Sequence, residues 1–160
     1  MNKVVGIGDM KVSADTADTL VTYALGSCIG VAAYDASAKV GGLLHIMLPA
    51  ATASPDRAKT NPNVYADTGL QQLLKGLAAS GARKNRLLEK VAGGAAMQAE
   101  GSEDFFQIGK RNYAAIKNLL WKEGIMLRHA DVGGNQSRTM SLDVSTGEVL
   151  LKTAGATKAL

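Results

Sequence analysis

The sequence predicts a mixed fold of class α/β (α+β), with largely antiparallel sheets and two main helices packed on one face. Short apolar runs rich in Val, Ile, Leu and Thr recur along the chain, and Gly, Ser, Asp or Pro residues separate them. Two stretches carry apolar residues at helical spacing. Several predicted strands follow one another directly, which favours hairpins and an antiparallel order.

The first half of the chain is predicted to contain four strands and one helix. The strands are expected at residues 2–8, 18–25, 28–34 and 40–48. A polar turn at 35–39 joins the third strand to the fourth, and Pro49 ends the fourth. A polar loop at 50–63 leads to a helix at 64–80, whose leucines recur at helical spacing and which Gly81 ends.

The second half is predicted to contain one helix and four strands. The strands are expected at residues 87–92, 125–132, 140–144 and 148–152, the last two forming a hairpin. Residues 98–108 are expected to form a loop before a helix at 112–123. We expect residues 1–160 to form a single domain with a frayed tail at 154–160.

Composition and charge exclude several classes of function. The chain has 160 residues, one cysteine, two histidines and a formal net charge of +4. One cysteine cannot form an internal disulfide, and the three potential soft ligands are too few for a typical zinc site, so we expect no metal and no cofactor. The basic residues are scattered, which argues against nucleic-acid binding. The sequence shows neither a signal peptide nor a membrane-spanning stretch, so we expect a cytoplasmic protein without membrane insertion.

Cys28 and His45 are the candidate reactive pair. If the turn between the third and fourth strands spans 35–38, Cys28 lies directly opposite His45, with Cβ atoms about 4.5–5.5 Å apart. Gly30, Ala32, Gly41 and Leu43 would share their face, while Ile29, Val31, Leu44 and Ile46 would form a core stripe on the other face. A one-residue slip would place the two side chains on opposite faces.

Two interpretations of Cys28 remain open on the residues alone. An adjacent imidazolium would lower the thiol pKa from about 8.5 and favour a thiolate nucleophile, with backbone amides at Gly26 and Ser27 as candidate oxyanion donors. An unpaired cysteine is, however, more often a buried packing residue, and His45 would serve equally as a core histidine. For Asn112 and Arg138 we expect solvated or internal polar roles.

Six sequence blocks resemble one known family. They are LGSC at 25–28, HIMLP at 45–49, YADTGLQQLL at 65–74, KVAGGAAM at 90–97, IGKRNY at 108–113 and DVGGNQSR at 131–138. Their order and the chain length are similar to those of the CheD family of chemoreceptor glutamine deamidases. The resemblance implies a layered α/β/β sandwich and a Cys–His–Thr site, which falls on Cys28, His45 and Thr22. Thr22 would orient the imidazole.

The same resemblance implies a reaction and two partners. The reaction is hydrolysis of specific glutamine side chains on the cytoplasmic helices of methyl-accepting chemoreceptors, through a cysteine thioester, giving glutamate and ammonia. The second partner would be the phosphatase CheC, and we expect a monomer. The alternatives are a non-catalytic adaptor that binds receptors or CheC, and a cysteine hydrolase of some other amide. Which receptor glutamines react, and whether methyl esters are also hydrolysed, is not determined by the sequence.

Overall fold

The computed structural model describes residues 1–96 and 107–160. Ten strands lie in these residues: β1 Asn2–Val4, β2 Met10–Ser13, β3 Thr19–Leu25, β4 Ile29–Asp35, β5 Val40–Ile46, β6 Leu88–Gly93, β7 Met126–Val132, β8 Arg138–Asp143, β9 Val149–Thr153 and β10 Ala156–Ala159. Three α-helices accompany them: α1 Pro55–Thr60, α2 Ala66–Ala79 and α3 Ile108–Glu123. Short 3₁₀ turns occupy Ala51–Ala53, Pro62–Val64 and Lys84–Arg86.

The strands form two five-stranded sheets. The first sheet has the order β1-β3-β8-β9-β10 and the second has the order β2-β5-β4-β6-β7. The pairs β1/β3 and β6/β7 are parallel, and the remaining pairs are antiparallel. This confirms the prediction of largely antiparallel sheets.

Two hydrophobic cores define three layers. The helix-side core joins one face of the second sheet to α2 and α3; its members include Ile29, Val31, Leu44, Ile46, Leu70, Leu73, Leu77, Ile116 and Leu120. The inter-sheet core joins the other face to the first sheet; its members include Leu20, Leu25, Ala32, Leu43, Met140 and Leu142. The second sheet is thus buried on both faces, and the predicted α/β/β sandwich is confirmed.

Alternation along β4 and β5 assigns side chains to these two cores. Ile29, Val31, Leu44 and Ile46 enter the helix-side core as the sequence predicted. Glycines admit close neighbours on both faces of β5. A Cβ at Gly42 would lie 2.6 Å from Leu73 Cδ1 of α2, and a Cβ at Gly41 would lie 2.9 Å from Leu142 Cδ2 of β8. Both layers therefore approach β5 closely.

The expected frayed tail at 154–160 was wrong. Residues Ala156–Ala159 form β10, which pairs antiparallel with β9. Ala154 and Gly155 connect the two strands with φ values of 49° and 83°, the positive pair typical of a tight hairpin turn. The terminal carbonyl of Leu160 also accepts a hydrogen bond from Lys90 Nζ at 2.6 Å. The Ala-Gly pair is not a usual signal for such a turn, so the sequence did not predict the hairpin.

The structure differs from the sequence predictions at three other places. The predicted loop at 50–63 contains α1, which begins with Pro55 at a helical position where proline is tolerated. The sequence missed β2, a four-residue edge strand that pairs with β5. The loop predicted at 98–108 lies almost wholly outside the described residues, and α3 begins at Ile108 rather than at 112. No helix in the described ranges is long and apolar enough to cross a membrane.

Candidate active site

A buried hydrogen bond joins Thr22 to His45 across the two sheets. His45 lies on β5, its side chain is 0% exposed, and its Nδ1 lies 2.7 Å from Thr22 Oγ1. Thr22, on β3, is likewise 0% exposed. The same hydroxyl donates to the carbonyl oxygen of Val5 at 2.7 Å. The imidazole therefore has a fixed neighbour on its Nδ1 side.

These contacts determine the tautomer of His45. A threonine hydroxyl has one hydrogen, and the Val5 carbonyl can only accept, so Thr22 donates to Val5. Thr22 Oγ1 must then accept from His45, which places the imidazole proton on Nδ1. His45 Nε2 carries the lone pair, is buried, and has no hydrogen-bond partner among residues 1–96 and 107–160. Nε2 is therefore the ring nitrogen that can accept a proton.

A bulge in β3 turns both Thr22 and Leu25 inward. Thr22 pairs with Met140 of β8, whereas Leu25 pairs with Arg138, so β3 contains one extra residue between them. Ala24, inside the bulge, has a left-handed φ of 57°. Residues three apart would normally face opposite sides of a strand, yet Thr22 and Leu25 are both fully buried. The bulge thus supplies both a packing residue and the histidine's partner from one strand.

The register of β4 and β5 differs from the prediction by two residues. Gly30, rather than Cys28, pairs with His45. The reason is the turn: Asp35 pairs with Val40, so the loop runs from 36 to 39, and the Asp35 carboxylate accepts from the amide of Ala38 at 3.1 Å. A shift of two residues preserves the face, because strand side chains alternate with period two.

Cys28 lies immediately before β4 and is half-buried. Its side chain packs against the inter-sheet core, the layer between the two sheets. His45 lies on the facing strand, two residues away from the position directly opposite Cys28. Its side chain points into the same layer. Gly30 lies between them and has no side chain; a Cβ there would already meet Met140 Sδ at 2.8 Å and Leu25 Cδ1 at 2.9 Å. The side chains of Met140 and Leu25 therefore fill the space that a side chain at position 30 would take.

Burial favours the neutral forms of both groups. Desolvation lowers the pKa of His45 to about 4, so the imidazole is uncharged at neutral pH. Desolvation also raises the pKa of the Cys28 thiol, although the backbone amide of Cys28 acts in the opposite direction. Both shifts act against the thiolate–imidazolium pair that one interpretation of the sequence required.

Three hydrogen bonds hold the backbone of the segment Gly26-Ser27-Cys28. Its carbonyl oxygens accept in turn from Ala95 N at 2.8 Å, Asn112 Nδ2 at 3.0 Å and Gly94 N at 2.8 Å. The amide of Gly26 donates to Ala24 O at 3.0 Å. That amide is therefore engaged in the bulge, and the amides of Ser27 and Cys28 are the better candidates for binding an oxyanion.

The sequence analysis expected solvated or internal polar roles for Asn112 and Arg138, and both side chains are buried. Asn112 is fully buried and donates from Nδ2 to Met47 O at 2.8 Å as well as to Ser27 O. Arg138 donates to Asp131 Oδ1 at 2.9 Å and to Gly93 O at 3.2 Å. A signal for Asn112 was present in the sequence: it lies on the apolar stripe of α3, with Ile116 and Leu120.

Among residues 1–96 and 107–160, no cluster of three or more His, Cys, Asp or Glu side chains could hold a metal ion. Thr22, His45 and the segment around Cys28 form the candidate site.

Comparisons with known proteins agree on one family. Residues 47–153 match the family model CheD, described as CheD chemotactic sensory transduction. A probable chemoreceptor glutamine deamidase CheD 1 from Syntrophus aciditrophicus is 45% identical over 152 residues, covering 95% of this chain and 94% of the relative.

Two further relatives carry similar names. A probable chemoreceptor glutamine deamidase CheD from Solibacter usitatus is 44% identical, covering 98% of this chain and 92% of the relative. One from Thermococcus kodakarensis is 43% identical, covering 95% of this chain and 92% of the relative. Similarity at this level over nearly the whole length, together with the family-model match, establishes that the chain belongs to the CheD family.

Proposed function

We propose that this protein is a chemoreceptor glutamine deamidase in which Cys28 is the nucleophile, His45 the general base and acid, and Thr22 the residue that orients the imidazole. The observation that carries the proposal is the buried Thr22–His45 hydrogen bond, which leaves His45 Nε2 without a partner among the described residues. The names of the relatives support glutamine deamidation of receptors as the reaction.

The first half-reaction forms a thioester. His45 Nε2 takes the thiol proton from Cys28 as the sulfur attacks the amide carbon of a glutamine side chain. The oxyanion of the tetrahedral intermediate accepts hydrogen bonds from the backbone amides of Ser27 and Cys28. The proton on Nε2 then passes to the amide nitrogen, the carbon–nitrogen bond breaks, and ammonia leaves.

The second half-reaction releases glutamate. A water molecule loses a proton to His45 Nε2 and attacks the thioester carbon. The second tetrahedral intermediate collapses, the carbon–sulfur bond breaks, and the sulfur regains the proton as Cys28 thiol. Throughout, Thr22 accepts from Nδ1–H and holds the ring in one orientation, so Nε2 presents its lone pair at each proton transfer.

The proposed substrate is a glutamine on a receptor cytoplasmic helix. CheC as a second partner, the monomeric state and a cytoplasmic location stay predictions of the sequence. The protein's basic balance of +4 favours association with an acidic surface.

Peptide mass spectrometry of a receptor cytoplasmic fragment tests the proposal. The fragment is incubated with the native protein or with Cys28→Ala, and ammonia is measured in the same samples. We expect site-specific Gln-to-Glu conversion, with one ammonia for each converted residue, in the native sample only. Free glutamine and an unrelated protein serve as parallel substrates and should not react.

Other outcomes would select the alternatives. If both proteins bind the fragment but neither converts it, the protein is a receptor-binding adaptor. If free glutamine or the unrelated protein reacts as fast as the fragment, the protein is a less specific amide hydrolase. If Cys28→Ala remains active, the proposed nucleophile is wrong.

A further inference from the structure

We propose that Asn112 is a positioning residue for the nucleophile, because it fixes the peptide plane that carries the Cys28 amide and ties that peptide to the strand of His45. The inference rests on the proposed function of Cys28 and His45. Asn112 is fully buried on α3 and uses both hydrogens of its Nδ2: one bond goes to Ser27 O at 3.0 Å and the other to Met47 O at 2.8 Å.

The bond to Ser27 sets the direction of the Cys28 amide. The peptide bond between Ser27 and Cys28 is trans, so its C=O and N–H point to opposite sides. Since Ser27 O points to Asn112, the N–H of Cys28 points away from α3. Burial raises the pKa of the Cys28 thiol, and a hydrogen bond from this amide acts to lower it. A donor on the carbonyl also polarises the peptide and strengthens the N–H as a donor.

The bond to Met47 joins the two strands where their ladder has ended. The last pair of the ladder is Ile29 with Ile46. Cys28 comes just before Ile29 in the sequence, and Met47 comes just after Ile46. One side chain therefore bridges the backbone beside the nucleophile to the backbone two residues beyond His45. The bridge restricts relative movement of the two proposed reacting side chains.

Close backbone packing holds Asn112 in place. Gly109, one turn earlier on α3, lies so near Gly94 that a Cβ on Gly109 would be 2.3 Å from Gly94 O. Gly94 N in turn donates to Cys28 O at 2.8 Å. The first turn of α3 and the nucleophile segment thus form one packed unit.

The inventory of polar atoms supports a role beyond stability. Within the part of the chain that the structure describes, Asn112 Oδ1 is buried without a hydrogen-bond partner. A buried polar atom without a partner lowers the free energy of unfolding. Asn112 bears this cost for Oδ1 while its Nδ2 makes two hydrogen bonds. The two donors serve the carbonyls of Ser27 and Met47.

Asn112→Leu in the full-length protein provides the test, because leucine has similar volume but no donor and no charge. Asn112→Ser is a smaller second variant, and Asn118→Leu, at an exposed position of the same helix, is the matched control. We measure kcat and KM on the receptor fragment, the pH dependence of Cys28 alkylation by iodoacetamide, and Tm.

We expect kcat to fall about 100-fold in the Asn112 variants, the loss typical of a displaced oxyanion donor, while KM stays within about twofold. The midpoint of Cys28 alkylation should move to higher pH, because the Cys28 amide no longer faces the thiol. Asn118→Leu should match the native protein in all three measurements.

A purely structural role predicts a different result. If either Asn112 variant folds with a lower Tm but keeps the native kcat and the native alkylation midpoint, the inference is overturned. If the native protein releases no ammonia from the fragment, the proposed function fails, and the alkylation midpoint alone then decides whether Asn112 positions the Cys28 amide.

Discussion

Thr22 Oγ1 and His45 Nδ1 lie 2.7 Å apart although the two residues belong to strands of different sheets. The hydrogen bond therefore depends on how the two sheets pack, not on the register within either sheet. The bulge at Ala24 and the inter-sheet core around Leu25 set that packing locally. The orientation of the proposed base is thus a property of the whole sandwich.

Thr22→Val should separate positioning of His45 from binding of substrate. Valine keeps the shape but leaves Nδ1–H without an acceptor, so the imidazole loses its fixed tautomer and orientation. We expect kcat to fall about 100-fold, within the range contributed by a positioned general base, with little change in KM. Thr22→Ser, which retains the hydroxyl, should recover most of the activity. Equal losses in both variants would contradict this role for the hydroxyl.

The pH dependence of the reaction should reflect the buried imidazole. Burial lowers the pKa of His45 to about 4, and a lowered pKa keeps the base form neutral as the pH falls towards that value. The acid limb of kcat/KM should therefore lie near pH 4, well below the limb of an ordinary histidine. A stopped assay of ammonia release across the acid range measures it.

Alkylation of Cys28 tests the resting protonation state of the pair. Burial raises the pKa of the Cys28 thiol, so iodoacetamide should react slowly at neutral pH and faster as the solution becomes alkaline. A rate plateau extending from about pH 5 to 7 would instead indicate a thiolate–imidazolium pair. Labelling is measured on the intact protein by mass spectrometry, with Cys28→Ala as the blank.

Gly93→Ala should destabilise the nucleophile segment. Gly93 has a φ of 113°, and a Cβ there would lie 2.2 Å from Cys28 O, a backbone atom that cannot rotate away. We expect a loss of at least about 2 kcal/mol in the free energy of unfolding, measured by urea denaturation.

Gly81→Ala is the matched control for that loss. Gly81 has a comparable φ of 102°, but a Cβ there would meet no atom within 4 Å. It reports the backbone strain alone, so Gly93→Ala should be clearly the more destabilising of the two. Equal effects would show that contact with Cys28 O contributes little.

Glu89→Gln should change how stability depends on pH. Glu89 is fully buried on β6, neither carboxyl oxygen has a hydrogen-bond partner in the described residues, and burial raises its pKa to about 8. The folded protein therefore holds a proton that the unfolded chain releases above its ordinary carboxyl pKa. This linkage destabilises the native protein as pH rises towards 8, by at most about 1.4 kcal/mol per pH unit.

Glutamine at position 89 cannot titrate, so the variant should lose this part of the pH dependence. Urea denaturation at pH 5.5 and pH 8 measures it, and the variant should gain stability relative to the native protein at the higher pH. The same difference at both values would mean that Glu89 is not protonated in the folded state.

Local patterns predicted most of the regular structure. Helical spacing of leucines located α2, and alternation in β4 and β5 assigned Ile29, Val31, Leu44 and Ile46 to the helix-side core. These assignments depend on periodicity along short segments. The short edge strand β2 and the Ala154-Gly155 hairpin carried no comparable signal and were missed.

The register of β4 and β5 shows where local reasoning ends. The sequence indicated a hairpin but not which turn residue would adopt a left-handed conformation. Lys39, with a φ of 53°, ends a four-residue loop at 36–39, one residue later than the predicted turn at 35–38, and this shift by one residue changes the pairing by two residues. The shared face of Cys28 and His45 survives this displacement only because two is the period of a strand.

The sequence by itself determined the largely antiparallel strands, the core stripe of β4 and β5 and the presence of one cysteine and one histidine on or beside neighbouring strands, because each follows from local periodicity and turn chemistry, whereas the layered α/β/β sandwich was implied by the family resemblance. The resemblance of six sequence blocks named the family and pointed to Thr22. Only the tertiary structure decided that the Thr22 hydroxyl meets His45, that burial shifts the pKa values of Cys28 and His45 towards their neutral forms, and that Asn112 donates a hydrogen bond to the peptide before Cys28. Those features require contacts between distant segments and burial from water, and neither is encoded in any single stretch of chain.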